Sequence, residues 1–208
     1  MTALIARNPQ KPADASHPIH DLIRHRWSPR SFAERPVDTA TLRSLMEAAR
    51  WAPSAGNKQP WSLIVADKEH AEDHARLAAT LWERNLLWAQ HAPVLIVVVA
   101  ELYPYEGKER NSFYDVGMAV GNLLTQATAH GLVAHQMGGF DADKARQDLS
   151  IPEGYEPLAV IALGYPGAAE SLPDDLRERE LAPRSRKPLE EFVFDGRWGL
   201  PVSDEAAA

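Results

Sequence analysis

The sequence predicts an α+β fold in which helices pack against a central sheet. One segment has apolar residues at the i, i+3, i+4, i+7 spacing of a single helical face, namely Leu42, Leu45, Met46 and Ala49. Residues 94–100, in contrast, form a continuous apolar run without alternation, which is typical of a central strand buried on both faces. Because the chain has 208 residues, it can form one large domain with short arms.

Composition narrows the class of protein. A hydrophobic content of 45% and a charged content of 25% are ordinary for a globular protein. The formal net charge of -7 argues against a general nucleic-acid binder, because affinity for the phosphate backbone depends on many clustered Lys and Arg residues. The absence of Cys excludes disulfides, thiolate chemistry and Cys-ligated metals. No signal-peptide pattern and no apolar run of roughly 20 residues is present, so we expect a cytoplasmic protein without a membrane partner.

We expect three regions along the chain: an arm over 1–16, a single domain over 17–200 and a disordered tail over 201–208. Pro18 stands where the first turn of a helix would begin. Asp38 is the expected N-cap of the helix that carries the apolar face, and Pro53 stops that helix.

The middle of the chain predicts more helices. Residues 68–91 indicate one or two of them, and His70 and His74 lie four apart there. No third ligand is evident, so we expect a solvated helix face and no metal site. Ser112 and Asp115 resemble a capping box at the start of a helix that Gly131 closes. Gly117 and Gly121 on this helix would allow close helix packing, for example across a dimer interface.

Two further strands are expected, over 132–137 and 158–163, because both segments are short apolar runs beside glycines. Residues 101–110 form a polar loop that we expect to vary with substrate. The segment 165–183 is charged and has no clear period, and we expect a loop.

An alternating pattern of cations follows the first helix. Arg26, Ser28 and Arg30 would share one face of an extended segment and present two guanidinium groups beside a hydroxyl. This donor set suits a phosphate. The alternative is a surface ion pair with Asp21, Glu34 or Glu47. Arg184 and Arg186 repeat the Arg-x-Arg spacing near the end of the chain.

A polar hinge over 51–61 joins the second helix to a strand. Gly56 permits positive φ, and Pro60 favours extended geometry at Gln59. The carboxamides of Asn57 and Gln59 suit the edge of a polar heterocycle. The alternative is that these residues only satisfy the backbone of a turn.

Gly138 and Gly139 follow the strand over 132–137. Two glycines remove side-chain bulk, so a flat ligand could lie against bare backbone N–H groups. The alternative is a bulge or a tight turn before Asp141, the expected N-cap of the next helix. An anion site, a heterocycle site and a flat surface together describe a phosphorylated planar cofactor.

With these motifs the chain resembles the FMN-dependent nitroreductase family. The resemblance covers roughly 19–198 and consists of R-W-S-P-R-S-F, A-P-S-A-G-N-K-Q-P-W, A-P-V-L-I-V-V, H-Q-M-G-G-F and R-K-P-L-E-E in the family's order. It implies a three-layer fold with a central mixed, mostly antiparallel sheet flanked by helices. It also implies a C-terminal extension, from Leu189 onward, that is swapped onto a dimer partner.

The resemblance also implies roles for individual residues. Arg26 and Ser28 would bind the FMN phosphate together with Arg184 and Arg186, while Arg30 would lie near N1 and O2 of the isoalloxazine as the catalytic cation. The hinge would reach the site from the other subunit, so FMN would lie at a homodimer interface. The full set of implied FMN-binding residues is Arg26, Trp27, Ser28, Arg30, Pro53, Ser54, Ala55, Asn57, Gln59, Met137, Gly138, Gly139, Arg184 and Arg186.

The implied activity is that of an FMN oxidoreductase which takes electrons from NADH or NADPH. By a ping-pong mechanism it would reduce a small nitroaromatic, quinone or similar electron-poor acceptor. Gly138 and Gly139 carry no proton-donating side chain, so the resemblance leaves the proton donor unassigned. Alternatives are reductive dehalogenation, enoate-type reduction or oxygen-dependent chemistry on the same fold, a flavin-binding sensor or storage protein, and an interaction module without flavin.

Overall fold

The computed structural model describes residues 11–102 and 109–202, with Glu109 described by its backbone alone. Its α-helices are α1 (Asp21–His25), α2 (Thr39–Arg50), α3 (Ala71–Ala78), α4 (Glu83–Ala89), α5 (Glu109–Ala129), α6 (Ala142–Asp148) and α7 (Asp174–Leu181). The strands are β1 (Trp61–Asp67), β2 (Val94–Glu101), β3 (Val133–Met137) and β4 (Tyr155–Gly164). Short 3-10 helices cover Ala55–Asn57, Ala169–Ser171 and Leu189–Glu191. No helix in the described ranges is long and apolar enough to span a membrane.

The strands form one sheet in the order β1-β2-β4-β3, and each neighbouring pair is antiparallel. The predicted α+β class and mostly antiparallel sheet are therefore confirmed. As predicted, 94–100 is a central strand, and every residue of it is buried. The swap of the C-terminal extension involves a second subunit and stays a prediction.

Helices cover both faces of the sheet and give the predicted three layers. Successive side chains of a strand point to opposite faces, so β2 contributes to two cores. Leu95 and Val97 join a cluster with residues of α3, α4 and α6. Val94 and Ile96 join a second cluster with residues of α2 and α5.

The starts of two helices differ from the sequence-based predictions. The structure begins α1 at Asp21 after the N-cap His20, whose Nδ1 accepts a hydrogen bond from the Leu22 N–H, so Pro18 lies outside the helix. Helix α5 begins at Glu109, so Ser112 and Asp115 are buried inside it and are not a capping box. The predicted end is confirmed, since α5 stops at Ala129 and Gly131 has a φ of 72°.

Other predicted elements agree with the structure. Asp38 caps α2 through Oδ1, which accepts the Thr41 N–H at 2.8 Å, and Asp141 caps α6 in the same way. The segment 68–91 holds two helices, α3 and α4. The expectation of a solvated face is wrong for His74, because this side chain is buried and its Nε2–H donates to the Ala92 carbonyl at 2.9 Å.

The largest error concerns 165–183, which the sequence predicts to be a loop. This segment contains a 3-10 helix and α7. Charged residues dominate α7, with Leu176 as its buried apolar residue and Glu180 buried beside it. A helical period is therefore faint in the sequence, and tertiary contacts around Glu180 stabilise the helix.

The termini and the loop over 101–110 are described only in part. Residues 11–16 of the predicted arm lie against the domain, and the Ala13 N–H donates to the Arg24 carbonyl at 2.8 Å. Pro201 pairs with Phe194 in an isolated bridge. Residues 1–10, 103–108 and 203–208 lie outside the described ranges, so the predicted arm, substrate loop and tail stay predictions there.

Candidate anion-binding site

A cavity of about 220 Å³ opens where the segment after α1 meets the segment after α7. Basic side chains from three separate parts of the chain dominate its lining. The lining residues are Lys11, Arg26, Trp27, Ser28, Arg30, Arg179, Ala182, Pro183, Arg184 and Arg186. The fold thus brings the two Arg-x-Arg patterns of the sequence together.

Two cations of the cavity were not predicted from the sequence. Lys11 belongs to the segment that was expected to be an arm, and its Nζ donates to the Glu180 carbonyl at 2.5 Å. Arg179 belongs to α7, which was expected to be a loop. No periodic or motif signal marks either residue, because both reach the cavity only through the path of the folded chain.

The arginines of the cavity are available to an anion. In the described ranges none of Arg26, Arg30, Arg184 and Arg186 forms an ion pair with a carboxylate. Glu47, an ion-pair partner considered from the sequence, binds Arg50 at 2.6 Å. Burial lowers the pKa of the Arg26 guanidinium, and the neighbouring charges of Arg184 and Arg186 lower it further. An anion in the cavity would relieve this repulsion.

Ser28 lies beside the first cation as the alternating pattern predicts. The Arg26 Nη1 donates to Ser28 Oγ at 3.2 Å. The hydroxyl and guanidinium groups together present several donors to one space, which suits the three terminal oxygens of a phosphate monoester. The residues present therefore fit the phosphate of FMN.

Arg184 also has a second role. Its Nη1 donates to the Lys11 carbonyl at 2.6 Å and to the Arg24 carbonyl at 3.0 Å. These bonds attach the backbone at Lys11 to the end of α1. Arg184 is thus both a cation of the cavity and a structural link, whereas Arg186, among the residues that the structure describes, bonds to the neighbouring Ser185 carbonyl alone.

A buried carboxylate, that of Glu180, and a half-buried imidazole, that of His135, lie next to the segment that carries Arg30. Glu180 is 1% exposed, and its carboxylate accepts the Arg30 N–H at 2.9 Å and the Ser31 N–H at 3.2 Å. Burial raises the pKa of this carboxyl. Burial also lowers the pKa of His135 to about 4, assisted by the charges of Arg30 and Arg26. The neutral His135 donates from Nδ1 to the Pro29 carbonyl at 3.0 Å.

Trp88 connects this interior to Arg30. The Trp88 ring lies 4.6 Å from the His135 ring, between centroids, and is buried in the core. The Arg30 guanidinium carbon lies 6.0 Å from the Trp88 ring centroid, within the range of a cation–π interaction. The Trp88 ring therefore helps to fix the Arg30 guanidinium group at the cavity.

The hinge does not line this cavity within the single chain. Gly56 has the predicted positive φ of 57°, and Asn57 follows at 55°. The expectation of an extended Gln59 is wrong, since its φ is 51°. Two local bonds explain this turn: the Gln59 N–H donates to Ser54 Oγ at 3.0 Å, and its Nε2 donates to the Asn57 carbonyl at 3.2 Å. Within one subunit these residues thus act as turn residues; Pro53 precedes the turn and Ala55 begins it.

The predicted flat surface also lies outside the cavity lining. Met137 is buried in the core, so its side chain packs rather than facing solvent. A Cβ on Gly139 would lie 2.6 Å from Asn85 Nδ2, so close packing accounts for this glycine. Gly138 is exposed, and a Cβ there would meet nothing within 4 Å. The space in front of Gly138 is therefore open.

Comparison with known proteins identifies the family. The model of the Nitroreductase family matches residues 23–165. A crystal structure described as an oxidoreductase containing FMN superposes with a TM-score of 0.83 at 35% identity, over 92% of this chain and 98% of that chain. An iodotyrosine deiodinase of Haliscomenobacter hydrossis is 26% identical over 84% of this chain and 90% of its own length. A NADH dehydrogenase of Thermus thermophilus is 28% identical over 81% and 91%.

The family match covers more than half of the chain, and it includes Arg26, Ser28, Arg30, the hinge and the glycine pair. It ends before α7 and the basic segment 184–186, which complete the cavity in this structure. On this combination of sequence and fold, the chain belongs to the nitroreductase family.

Proposed function

We propose that this protein is an FMN-dependent oxidoreductase that transfers electrons from NADH or NADPH to a small electron-poor acceptor such as a nitroaromatic or a quinone. The observation that carries the proposal is the cationic cavity, in which the guanidinium groups of Arg26, Arg30, Arg184 and Arg186 form no ion pair with a carboxylate of the described residues. The similarity to an FMN-containing oxidoreductase over 92% of the chain supports it. The electron donor NAD(P)H and the electron acceptor would bind in turn at the same site, which corresponds to a ping-pong mechanism.

Bound FMN would supply the redox chemistry, since its ring accepts a hydride and passes two electrons on. The residues of this chain bind and orient. Arg26, Ser28 and Arg186 would hold the phosphate, and Arg184 would add charge while it fastens the chain. Arg30 would stabilise the negative charge that develops on the N1 and O2 side of a reduced ring, because a fixed cation favours that charge in a site with little water. Gly138 and Gly139 would offer backbone N–H groups to the opposite edge.

We further propose that the functional unit is a homodimer with an FMN site at each interface. The hinge residues Pro53–Asn57 do not line the cavity of their own chain, which supports a contribution from the partner. Two exposed surfaces support association. One is the outer side of α5 around Gly117, Met118 and Gly121; the other is the segment 189–202, in which Phe192 and Trp198 are exposed. The cytoplasmic location expected from the sequence stays a prediction.

Reductive dehalogenation is the second candidate activity. It is favoured by the similarity to an iodotyrosine deiodinase over 84% of this chain. The same flavin site would deliver electrons to a halogenated phenol in place of a nitro compound. Iodide release from iodotyrosine by the reduced protein distinguishes the two activities.

An anaerobic visible spectrum tests the main proposal. Purified protein, supplied with FMN if needed, is expected to show oxidised flavin bands that bleach on addition of stoichiometric NADH or NADPH. Bands that persist with both nucleotides would favour the sensor or storage alternative. Protein that binds no FMN at all would contradict the proposal and favour an interaction module.

A further inference from the structure

The peptide group between Pro29 and Arg30 is bound at one end by the half-buried His135 and at the other by the buried Glu180. Its carbonyl accepts the Nδ1–H of His135 at 3.0 Å. Its N–H donates to the Glu180 carboxylate at 2.9 Å to one oxygen and 3.1 Å to the other. The two side chains come from β3 and α7, which both follow this segment by more than 100 residues in the sequence and bind opposite ends of the same peptide group.

The next residue strengthens the same attachment. The Ser31 N–H donates to Glu180 Oε1 at 3.2 Å, and the Ser31 hydroxyl donates to the Ala168 carbonyl at 2.6 Å. The backbone from Pro29 to Ser31 therefore has little freedom. Arg26 and Ser28 precede this fixed stretch, and Arg30 belongs to it. The position of the stretch therefore determines where these three side chains place their donors in the cavity.

A carboxylate is an unusual choice for this position, because it is buried and its desolvation is costly. The charge of Glu180 is offset by bonds from two backbone N–H groups and by the nearby cations Arg30 and Lys11. The main-chain carbonyl of Glu180 also accepts Lys11 Nζ. Glu180 thus joins three parts of the chain around the cavity: α7, the segment after α1, and Lys11.

We propose that Glu180 and His135 are positioning residues of the flavin site, which hold the Pro29–Arg30 peptide so that Arg30 and Ser28 present their donors to the phosphate and ring. This inference rests on the proposed function. Neither residue lines the cavity, so both act through the backbone that they hold.

If Glu180 only balances charge, neutralising it should raise the affinity for FMN. If Glu180 positions the backbone, neutralising it should lower that affinity. Removing a negative charge beside several cations would by itself make the cavity more attractive to a phosphate. Glu180→Gln, however, places an amide N–H₂ where Oε2 accepts the Arg30 N–H at 2.9 Å, so this shortest bond is replaced by two donors that face each other. The remaining oxygen can still accept from Arg30 at 3.1 Å and from Ser31 at 3.2 Å, but the repulsion at the other position loosens the segment. The sign of the change in FMN affinity therefore distinguishes a positioning residue from a residue that only balances charge.

The experiment measures the affinity of the protein for FMN and for riboflavin, which lacks the phosphate, by quenching of flavin fluorescence. For Glu180→Gln we expect FMN binding to weaken by about tenfold, as for the loss of one bond to a charged group, and riboflavin binding to change by less than about threefold. Glu178→Gln is the matched control, because Glu178 is exposed on the same helix. Tighter or unchanged FMN binding in Glu180→Gln would overturn the proposal, as would an equal loss for both flavins.

A second measurement needs no flavin. Amide hydrogen exchange at Arg30 and Ser31 is expected to be slow in the wild-type protein and at least about tenfold faster in Glu180→Gln. His135→Phe keeps a ring against Trp88 and removes the donor to Pro29, and it is expected to accelerate the same amides. Glu180→Asp keeps the charge but withdraws the carboxylate, so it should resemble Glu180→Gln and serves if the latter fails to fold.

The two readouts separate failure of this inference from failure of the proposed function. Wild-type protein that binds no FMN contradicts the proposed function, and exchange at Arg30 and Ser31 then still decides whether the attachment exists. Wild-type protein that binds FMN, with exchange and affinity unaltered in the variants, contradicts the positioning roles alone.

Discussion

The Asp115 carboxylate accepts a hydrogen bond from the backbone N–H of Ala55 at 2.9 Å, across 60 residues of sequence. Asp115 is buried in α5, and Ala55 begins the 3-10 turn of the hinge. The bond fixes the hinge to α5, the helix whose outer side we propose as part of a dimer interface. A residue that the sequence suggested as a helix cap thus orients the segment proposed to reach the partner's flavin.

Asp115→Ala is expected to destabilise the protein by about 1–3 kcal/mol, because it leaves a backbone N–H without its charged acceptor. Chemical denaturation of the variant and the wild type measures this difference. Asp14→Ala is the control, since Asp14 is exposed, and it should change the free energy of unfolding by less than about 0.5 kcal/mol. Equal stabilities of all three proteins would show that the bond to Ala55 contributes nothing.

Arg26→Ala is expected to lower FMN affinity by at least about tenfold, because charge-assisted bonds to phosphate are among the stronger polar contacts. Flavin content after purification and titration with FMN both report it. Arg43→Ala removes an exposed arginine of α2 and should leave the affinity unchanged. If Arg26→Ala retains as much flavin as the parent, Arg26 is not a phosphate ligand.

Arg30→Ala is expected to slow flavin reduction more than it weakens flavin retention. The physical reason is that the proposed cation stabilises charge that appears only when the ring is reduced. Stopped-flow reduction by NADH or NADPH, at FMN concentrations that saturate the variant, separates the two effects. A normal reduction rate with weak FMN binding would place Arg30 at the phosphate instead.

Arg184→Ala should disturb the local structure, whereas Arg186→Ala should only remove charge. Both remove charge from the cavity, but only Arg184 bonds to the carbonyls of Lys11 and Arg24. We therefore expect faster amide exchange at Ala13, whose N–H bonds to Arg24, in Arg184→Ala alone. The same exchange rate in both variants would remove the structural role of Arg184.

His135 predicts a pH dependence of stability. Its pKa is lowered to about 4 in the folded protein from 6.5, so the unfolded chain binds the additional proton first as pH falls. The contribution of His135 is thus present above pH 6.5 and is lost as pH falls through 6.5 to about 4. Glu180 has the opposite effect, because its pKa is raised in the folded protein. Its contribution to the free energy of unfolding therefore decreases as pH rises above 4.5.

Denaturation of the wild type and His135→Phe at several pH values isolates the histidine, since Glu180, Arg30 and Arg26 are common to both. The difference in free energy of unfolding, wild type minus variant, should fall as pH is lowered through that window. A difference that is constant with pH would mean that the folded protein does not shift the pKa of His135.

Local patterns in the sequence determined much of this protein. The unbroken apolar run predicts the buried strand β2, and the apolar spacing and Asp38 predict α2 with its N-cap. Each of these signals lies within a short stretch, because a strand or helix buries a face whose period is set by its own backbone. The alternation of Arg26, Ser28 and Arg30 likewise predicts a cationic face before any fold is known.

Only the tertiary structure decided what surrounds that face. Lys11 and Arg179 line the cavity, and Glu180 bonds to the backbone of Arg30 and Ser31. Asp115, expected in a capping box, instead accepts a hydrogen bond from the hinge. Helix α7 was missed for the same reason, since its charged sequence has little periodicity and its buried carboxylate is stable only beside distant N–H groups. A buried polar side chain is specified by partners that folding brings from elsewhere, and no local period records them.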